Sequence, residues 1–229
     1  MGNDFHHMRD VIRINQGDKV IILTSSGKYH AIVDSFNKNS AQLTVLSEVQ
    51  KKESTRHFIV WQSILKGSKM DEAIDRMTEM GATSIVPVLT ERTDFIPKTP
   101  EEAQIKRERW QRIVISASKQ ARRDFVPEVS PITPLDSLLQ SPPKTSEIRI
   151  FFWECSNQKN LYSLLHDHAS ASTIVLLIGP EGGFSPSEAA RIMECGLMEA
   201  SLGDTVLRAE NAGFFALGMV QYFLSMIQK

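Results

Sequence analysis

The feature that most constrains the fold of this chain is an apolar run that leads through a glycine-rich turn into a helix. Residues 174–178 are all aliphatic, which is typical of a central strand covered on both faces of a parallel sheet. Three glycines lie in the turn at residues 179–183, and Ser185, Pro186 and Glu188 then have the spacing of a helix start with a capping box. This succession predicts an α/β domain in which a ligand binds at the carboxyl end of the strand.

The chain after residue 54 alternates between the same two kinds of element. Apolar positions three and four apart predict one helix from Ser68, as its cap, to Gly81, and a second helix over residues 99–122. This alternation predicts a layered α/β domain with a mostly parallel sheet. Short apolar runs predict further strands at residues 58–61, 85–89 and 148–153.

The first 54 residues follow a different pattern. Short alternating runs occur at residues 19–23, 29–33 and 41–46, and polar turn residues separate them. These runs predict hairpins and a small β-barrel. The polar run at residues 50–54 predicts the boundary between the two parts.

Composition narrows the class of protein. The 26 Lys and Arg residues are offset by 27 Asp and Glu residues, which excludes a histone-like cation that binds nucleic acid over its whole surface. The spacing of Cys155 and Cys195 fits neither a zinc site nor a disulfide scaffold, so we expect a reducing, cytoplasmic location. The N-terminus has no secretory signal pattern. Gln221 and Ser225 interrupt the longest apolar stretch, which therefore predicts a buried helix and no membrane span.

The turn at residues 179–183 lacks both glycine spacings that hold dinucleotide or triphosphate groups. Taken alone, it is equally compatible with a tight turn that binds nothing. A second loop, residues 201–212, follows the next strand and leads into the last helix. The two loops together are much more specific than either one.

As a pair, these loops resemble those of the SPOUT methyltransferases, and within them the RsmE-type enzymes that methylate N3 of a uridine in 16S ribosomal RNA. The resemblance extends over nearly the whole chain. Its other segments are His6-His7 through Arg13, Lys66-Gly67 through Asp71, Glu79-Met80-Gly81-Ala82, and Arg109-Trp110 through Pro127.

The resemblance implies two domains. Residues 1–54 would form a PUA-like RNA-binding β-barrel, expected to lack its first strand because the chain starts almost at the His6-His7 element. Residues 55–229 would form the SPOUT α/β methyltransferase domain, a parallel sheet with a C-terminal trefoil knot.

The resemblance also implies the cofactor and the partners. The cofactor is S-adenosyl-L-methionine, held by backbone groups of the two knot loops. The substrate is 16S ribosomal RNA, either free or within the small ribosomal subunit, and the enzyme acts as a homodimer. The residues implied for cofactor binding are Ile178, Gly179, Pro180, Glu181, Gly182, Gly183, Leu202, Gly203, Val206, Leu207 and Arg208.

The chemistry of the reaction suggests catalytic residues. A uridine N3 must lose its proton, and a preorganised arginine can stabilise the anion. Arg122, Arg123 and Arg208 are the candidates. Glu181 is assigned to loop organisation, because a carboxylate beside the sulfonium stabilises the substrate more than a transition state in which that charge fades. The group that accepts the proton is left open.

The helix over residues 99–122 is rich in basic residues, which indicates an RNA-binding face, although a solvated charged face is the alternative. Asn211 departs from the family pattern, which favours a hydroxyl side chain at this position. The candidate RNA contacts are Arg9, Arg13, Lys19, Lys69, Arg112, Arg122 and Arg123.

Three further alternatives concern metals, assembly and reaction class. Two histidine pairs, at residues 6–7 and at His166 and His168, lack a third ligand at a recognisable spacing, so no metal is expected. The last helix is apolar on most sides, which predicts a homodimer interface, with burial inside its own domain as the alternative. The alternative functions are a SPOUT ribose 2′-O-methyltransferase and a non-catalytic RNA-binding protein of the same fold.

Overall fold

The computed structural model describes residues 5, 8, 13–24, 27–49, 56–154 and 161–227. The chain forms two compact units. The first contains Met1–Glu53 and Arg122–Val126, and the second contains Ser54–Ala121 and Pro127–Lys229. Four parts of the sequence predictions, His6-His7, Arg9, Cys155 and the boundary at residues 50–54, lie outside the described residues.

The first unit contains an antiparallel sheet of three strands, β1 (Lys19–Leu23), β2 (Lys28–Phe36) and β3 (Ala41–Glu48), in that order. The three runs predicted from the sequence all lie within these strands. Ala31 and Val33, on one face of β2, are buried. The later segment is tied to the sheet, because Lys28 Nζ donates to Asp124 Oδ1 at 2.9 Å and to Arg122 O at 3.3 Å.

The second unit contains a parallel sheet, as the sequence predicts. Its strands pair in the order β10-β8-β9-β4-β5-β6, and β7 also pairs with β5. Residues 174–178 are buried, because β9 lies between β8 and β4. The strands are β4 (His57–Ser63), β5 (Ser84–Leu89), β6 (Glu128–Val129), β7 (Thr133–Pro134), β8 (Glu147–Phe152), β9 (Thr173–Ile178) and β10 (Met198–Ala200).

The helices whose bounds the structure describes belong to the second unit. Those predicted from periodicity are present, and each buries the apolar face that its spacing indicated, for example Met70, Ile74 and Met77 on the first. The helices are α1 (Lys69–Glu79), α2 (Pro100–Gln120), α3 (Leu135–Leu139), α4 (Leu161–Asp167), α5 (Pro186–Glu194) and α6 (Ala209–Ile227).

The helix ends differ from the sequence prediction in two places. Ser68 precedes α1, but its side chain makes no capping hydrogen bond, because its backbone is already helical. Helix α2 ends at Gln120 rather than at residue 122. Arg122 follows it with a positive φ of 52°, so Arg122 and Arg123 lie in a turn and not on the helix.

Helix α6 packs closely on α1. A Cβ at Gly213 would lie 2.6 Å from Met77 Sδ, so only glycine permits this approach. Gln221 Nε2 donates to Met80 O at 2.6 Å, and Asn211 Oδ1 accepts from Arg76 Nη1. Asn211, which departs from the family pattern, therefore joins α6 to α1. Among the described helices, none is long and apolar enough to cross a membrane.

Candidate functional site

A cleft of about 470 Å³ lies at the carboxyl ends of β8, β9 and β10. Residues 152–154 and 178–183, except Gly182, form one side of it, and residues 201–210 with Ala212 form the other; Lys69 completes the lining. The carboxyl ends of neighbouring parallel strands meet at one edge of a sheet, which is where α/β folds bind ligands. The site predicted from the first glycine-rich turn is therefore a physical cleft.

Gly183 shapes the first wall of the cleft. Its φ is +63°, and a Cβ there would collide with the carboxylate of Glu154. Its backbone N donates to Pro180 O at 3.0 Å, which closes the turn. A residue with a side chain would strain the backbone and displace Glu154.

Glu181 links this turn to the start of α1. Its Oε1 accepts from Lys66 N at 3.0 Å and from Lys69 Nζ at 3.3 Å. Burial acts to raise the pKa of the Glu181 carboxyl, but these hydrogen bonds outweigh it, and the pKa lies below its ordinary value. Glu181 is thus an ionised group that organises the loop, in agreement with the role expected from its chemistry.

The loop after β5 holds the same turn from the side away from the cleft. Arg92 Nη1 donates to Gly182 O at 2.7 Å, and a Cβ at Gly182 would lie 3.3 Å from Arg92 Cβ. Gly182 faces Arg92 and is not among the residues that line the cleft. The cofactor contact expected of Gly182 stays a prediction, and in the structure its lack of a side chain lets Arg92 approach the backbone.

The start of α5 contains the predicted capping box and one added contact. Ser185 Oγ accepts from Glu188 N at 3.0 Å, as a cap should. Glu188 contacts the Ser185 backbone in return, and its Oε1 also accepts from Glu91 N at 2.9 Å. The side chain is 1% exposed, and burial raises the pKa of its carboxyl. Its Oε2 has no hydrogen-bond partner among the described residues.

The second wall combines apolar and charged side chains. Val206 is 82% exposed, an unusual state for an apolar residue that lines a cleft. Arg208 is exposed, and its carbonyl accepts from Asn211 N at 2.9 Å at the start of α6. The lining contains four carboxylate side chains and two cationic ones. The carboxylates are Glu154, Glu181, Asp204 and Glu210, and the cations are Lys69 and Arg208. The cleft therefore has an excess of negative charge.

The other predicted arginines lie elsewhere. Arg122 and Arg123 belong to the first unit and Arg208 to the second, so a shared site for the three stays a prediction. Arg123 lies over the Phe125 ring, 4.6 Å from its centroid, and burial lowers the pKa of its guanidinium to about 10.

The remaining predicted RNA contacts are scattered over the surface. Arg13 and Lys19 are exposed residues of the first unit. Arg112 is exposed on α2, where its Nε donates to Glu108 O of the same helix. Two other basic residues of α2 have structural partners: Arg107 Nε donates to Val129 O at 2.7 Å, and Arg109 pairs with Asp71.

Sequence reasoning missed several residues of the site. Phe152, Trp153 and Glu154 line the cleft, and the signal for them was their position at the end of a predicted strand. Arg92 had no such signal, because its contact with Gly182 joins residues 90 positions apart. Within the part of the chain that the structure describes, no group of three His, Cys, Asp or Glu side chains is placed to hold a metal ion.

Comparisons with known proteins agree with this geometry. The sequence profile of the RNA methyltransferase domain matches residues 52–221, and that of the RNA methyltransferase PUA domain matches residues 2–46. Ribosomal RNA small subunit methyltransferase E of Synechocystis sp. is 30% identical, over 96% of this chain and 71% of the relative. The protein of the same name from Bacillus subtilis is 26% identical, over 99% of this chain and 90% of the relative.

A solved structure extends the similarity to three dimensions. The crystal structure of a ribosomal RNA small subunit methyltransferase E from Neisseria gonorrhoeae, bound to S-adenosyl methionine, is 27% identical with a TM-score of 0.84. The alignment covers 97% of this chain and 90% of that one. A profile match over most of the chain and a shared fold have one explanation: this chain belongs to the RNA methyltransferase family.

Proposed function

We propose that this protein transfers a methyl group from S-adenosyl-L-methionine to N3 of a uridine in 16S ribosomal RNA. The observation that carries the proposal is the cleft at the carboxyl ends of β8, β9 and β10, in a chain of the RNA methyltransferase family. The names of the relatives from Synechocystis sp. and Bacillus subtilis support the small-subunit RNA as substrate. The bound ligand of the Neisseria gonorrhoeae structure supports the cofactor.

The residues of the cleft fit S-adenosyl-L-methionine. A volume of about 470 Å³ is within the usual range of small-ligand sites. The excess of carboxylates suits a ligand with a sulfonium and an ammonium group, and Lys69 and Arg208 can pair with its carboxylate. The exposed Val206 and the neighbouring Leu202 and Leu207 offer an apolar surface for the adenine ring.

The cofactor supplies an electrophilic methyl group, and the protein supplies position and charge. Holding the nucleophile in line with that group contributes a large part of the rate. Arg208, exposed in the cleft wall, is proposed to stabilise the uridine anion, with Arg122 and Arg123 as further candidates. Glu181 keeps its structural role, because Lys66 N and Lys69 Nζ already occupy its Oε1.

The proposal includes an assembly and a domain organisation. Residues 1–54 act as a PUA-like RNA-binding β-barrel, and residues 55–229 as the SPOUT domain with its C-terminal trefoil knot. The active form is a cytoplasmic homodimer. The match of residues 2–46 to a PUA domain supports the first part, and the exposed side chains Phe215, Tyr222 and Met226 on α6 support the dimer.

RNA contacts are proposed at Arg9, Arg13, Lys19, Lys69, Arg112, Arg122 and Arg123. Exposure of Arg13, Lys19 and Arg112 supports them. Lys69 has a second role, because it also bonds Glu181 in the cleft wall. A loss of this lysine is therefore expected to impair cofactor binding as well.

Mass spectrometry of nucleosides from 16S ribosomal RNA tests the proposal. A strain that lacks the gene should lose one 3-methyluridine, and the wild-type gene, but not an Arg208→Ala variant, should restore it. Loss of a 2′-O-methylated nucleoside instead would indicate transfer to the ribose. An unchanged set of methylated nucleosides would indicate a binding protein without this activity.

A further inference from the structure

A second cavity of about 430 Å³ lies at the carboxyl ends of β4 and β5, at the same edge of the parallel sheet as the cleft. Residues 64–67 follow β4, Asp94 and Phe95 follow β5, and Lys106 and Trp110 come from α2. The proposed function uses none of these side chains. We call this cavity the flanking pocket.

Residues that line the flanking pocket and the cleft are in direct contact. Lys66 lines the flanking pocket, while Lys69 and Glu181 line the cleft. Glu181 Oε1 accepts from Lys66 N at 3.0 Å and from Lys69 Nζ at 3.3 Å. One carboxylate thus joins the two walls, and a polymer whose target residue enters the cleft has its neighbouring residues close to the flanking pocket.

The floor of the flanking pocket is apolar. Ile64, Leu65, Met70 and Trp110 line it and are each almost fully buried. The ring of Phe95, which is half-buried, forms part of the wall. The accessible ring of Phe95 is the surface on which a planar ring can stack, and stacking on aromatic side chains holds nucleic-acid bases without regard to their sequence.

The sides of the flanking pocket carry positive charge. The Lys106 ammonium lies 4.9 Å from the centroid of the Phe95 ring. Lys66 is exposed, and its ammonium has no partner among the described residues. Asp94 is the one acidic residue of the lining. Two ammonium groups above an apolar floor complement a phosphate attached to a flat ring.

We propose that the flanking pocket binds a nucleotide of the substrate RNA next to the one that is methylated. Its base lies on the apolar floor against Phe95, and its phosphate pairs with Lys66 and Lys106. This inference rests on the proposed function. An enzyme that modifies a base must take that base out of its stack, and a held neighbour fixes the extruded nucleotide over the cleft.

The test replaces each lysine by methionine, which keeps the aliphatic stem and removes the charge. Lys66→Met and Lys106→Met are compared with the control variant Lys144→Met. Lys144 is exposed in the turn before β8, at the amino ends of the strands and away from both cavities. The substrate is small ribosomal subunits from a strain that lacks the gene, with labelled S-adenosyl-L-methionine. Melting temperatures check that all variants fold.

We expect Lys66→Met and Lys106→Met each to raise the KM for subunits by about fivefold. Each variant should also make this KM less dependent on salt concentration, by the amount that the loss of about one phosphate contact predicts. The KM for S-adenosyl-L-methionine should stay within about twofold of the wild type, because neither side chain lines the cleft. Ultraviolet cross-linking should attach RNA to Phe95 in the tryptic peptide of residues 93–98.

The outcomes separate this inference from the proposed function. If the wild type methylates subunits but the two variants match Lys144→Met, the flanking pocket does not bind RNA. Cross-links from this peptide to a ribosomal protein would also overturn the inference, since the occupant would then be a protein. A wild type that transfers no methyl group to the subunits overturns the proposed function, and the inference fails with it.

Discussion

Gly183 is the residue whose replacement most directly tests the cleft. Its φ of +63° is unfavourable for any other residue, and a Cβ would collide with Glu154. We expect Gly183→Ala to weaken S-adenosyl-L-methionine binding by more than about tenfold, as measured by calorimetric titration. The backbone strain alone should lower the free energy of unfolding by about 1 kcal/mol.

Gly196 provides the matched control for that experiment. Its φ is +85°, and nothing lies within 4 Å of an added Cβ. Gly196→Ala should therefore lose a similar amount of stability and keep its affinity for the cofactor. Equal cofactor affinities in the two variants would mean that the turn at residues 179–183 is not part of the binding site.

Glu188 predicts a pH dependence of stability. Burial raises the pKa of its carboxyl above the ordinary value of 4.5, so the folded protein keeps a proton that the unfolded chain has lost. The stability contributed by this proton is lost as the pH rises through the raised pKa. Glu188→Gln removes this pH dependence of stability, because glutamine does not titrate. The melting temperature of the variant should therefore rise relative to that of the wild type as the pH increases from about 4 to about 7.

Calorimetry at several pH values measures this difference. Glu194→Gln, which changes an exposed carboxylate on the same helix, serves as the control and should give no such trend. A difference for Glu188→Gln that falls as the pH rises would contradict the assignment. The sequence spacing predicted Glu188 as half of a capping box, and it could not reveal the contact with Glu91 N, since that partner is 97 residues away.

At the scale of elements, the loop after β5 supports the turn at residues 179–183 from outside the cleft. Arg92 Nη1 bonds Gly182 O at 2.7 Å, and a hydrogen bond from a charged donor is stronger than one between neutral groups. We expect Arg92→Ala to raise the dissociation constant of S-adenosyl-L-methionine about fivefold. Arg112→Ala, which loses only a bond within α2, should leave it unchanged. Equal constants for the two variants would show that the turn keeps its shape without Arg92.

Elements with a long periodic pattern were predictable, and those defined by pairing were not. The aliphatic run of β9 and the apolar face of α1 each indicated their structure from local spacing. Strands β6 and β7 are two residues long, and α3 is five. Such short elements exist because of their neighbours in the sheet, and no local pattern in the sequence could specify them.

At the scale of the whole molecule, the outward face of α6 provides the test of the proposed dimer. Leu224 is 2% exposed and belongs to the core of its own unit, whereas Tyr222 and Met226 are 61% and 51% exposed. We expect Tyr222→Glu with Met226→Glu to convert the proposed dimer into a monomer with little loss of monomer stability, because both side chains face outward. Light scattering during size-exclusion chromatography measures the mass.

Val45→Glu with Leu46→Glu is the matched control, since these two side chains are 53% and 51% exposed on β3. It adds the same charge and should leave the mass unchanged. A wild type that elutes as a fully active monomer would contradict the dimer. The apolar character of α6 was visible in the sequence, but the division between its core face and its outward face required the packing on α1.

The assignment of Arg122–Val126 to the first unit has a consequence for how the protein is made. Sequence order suggested that the first 54 residues are complete by themselves, because the contact between Lys28 and Asp124 leaves no local signal. During translation, however, β1, β2 and β3 leave the ribosome well before Asp124 is synthesised. The first unit cannot assume its final form until β4, α1, β5 and α2 have also been synthesised, so its completion waits for the first part of the second unit.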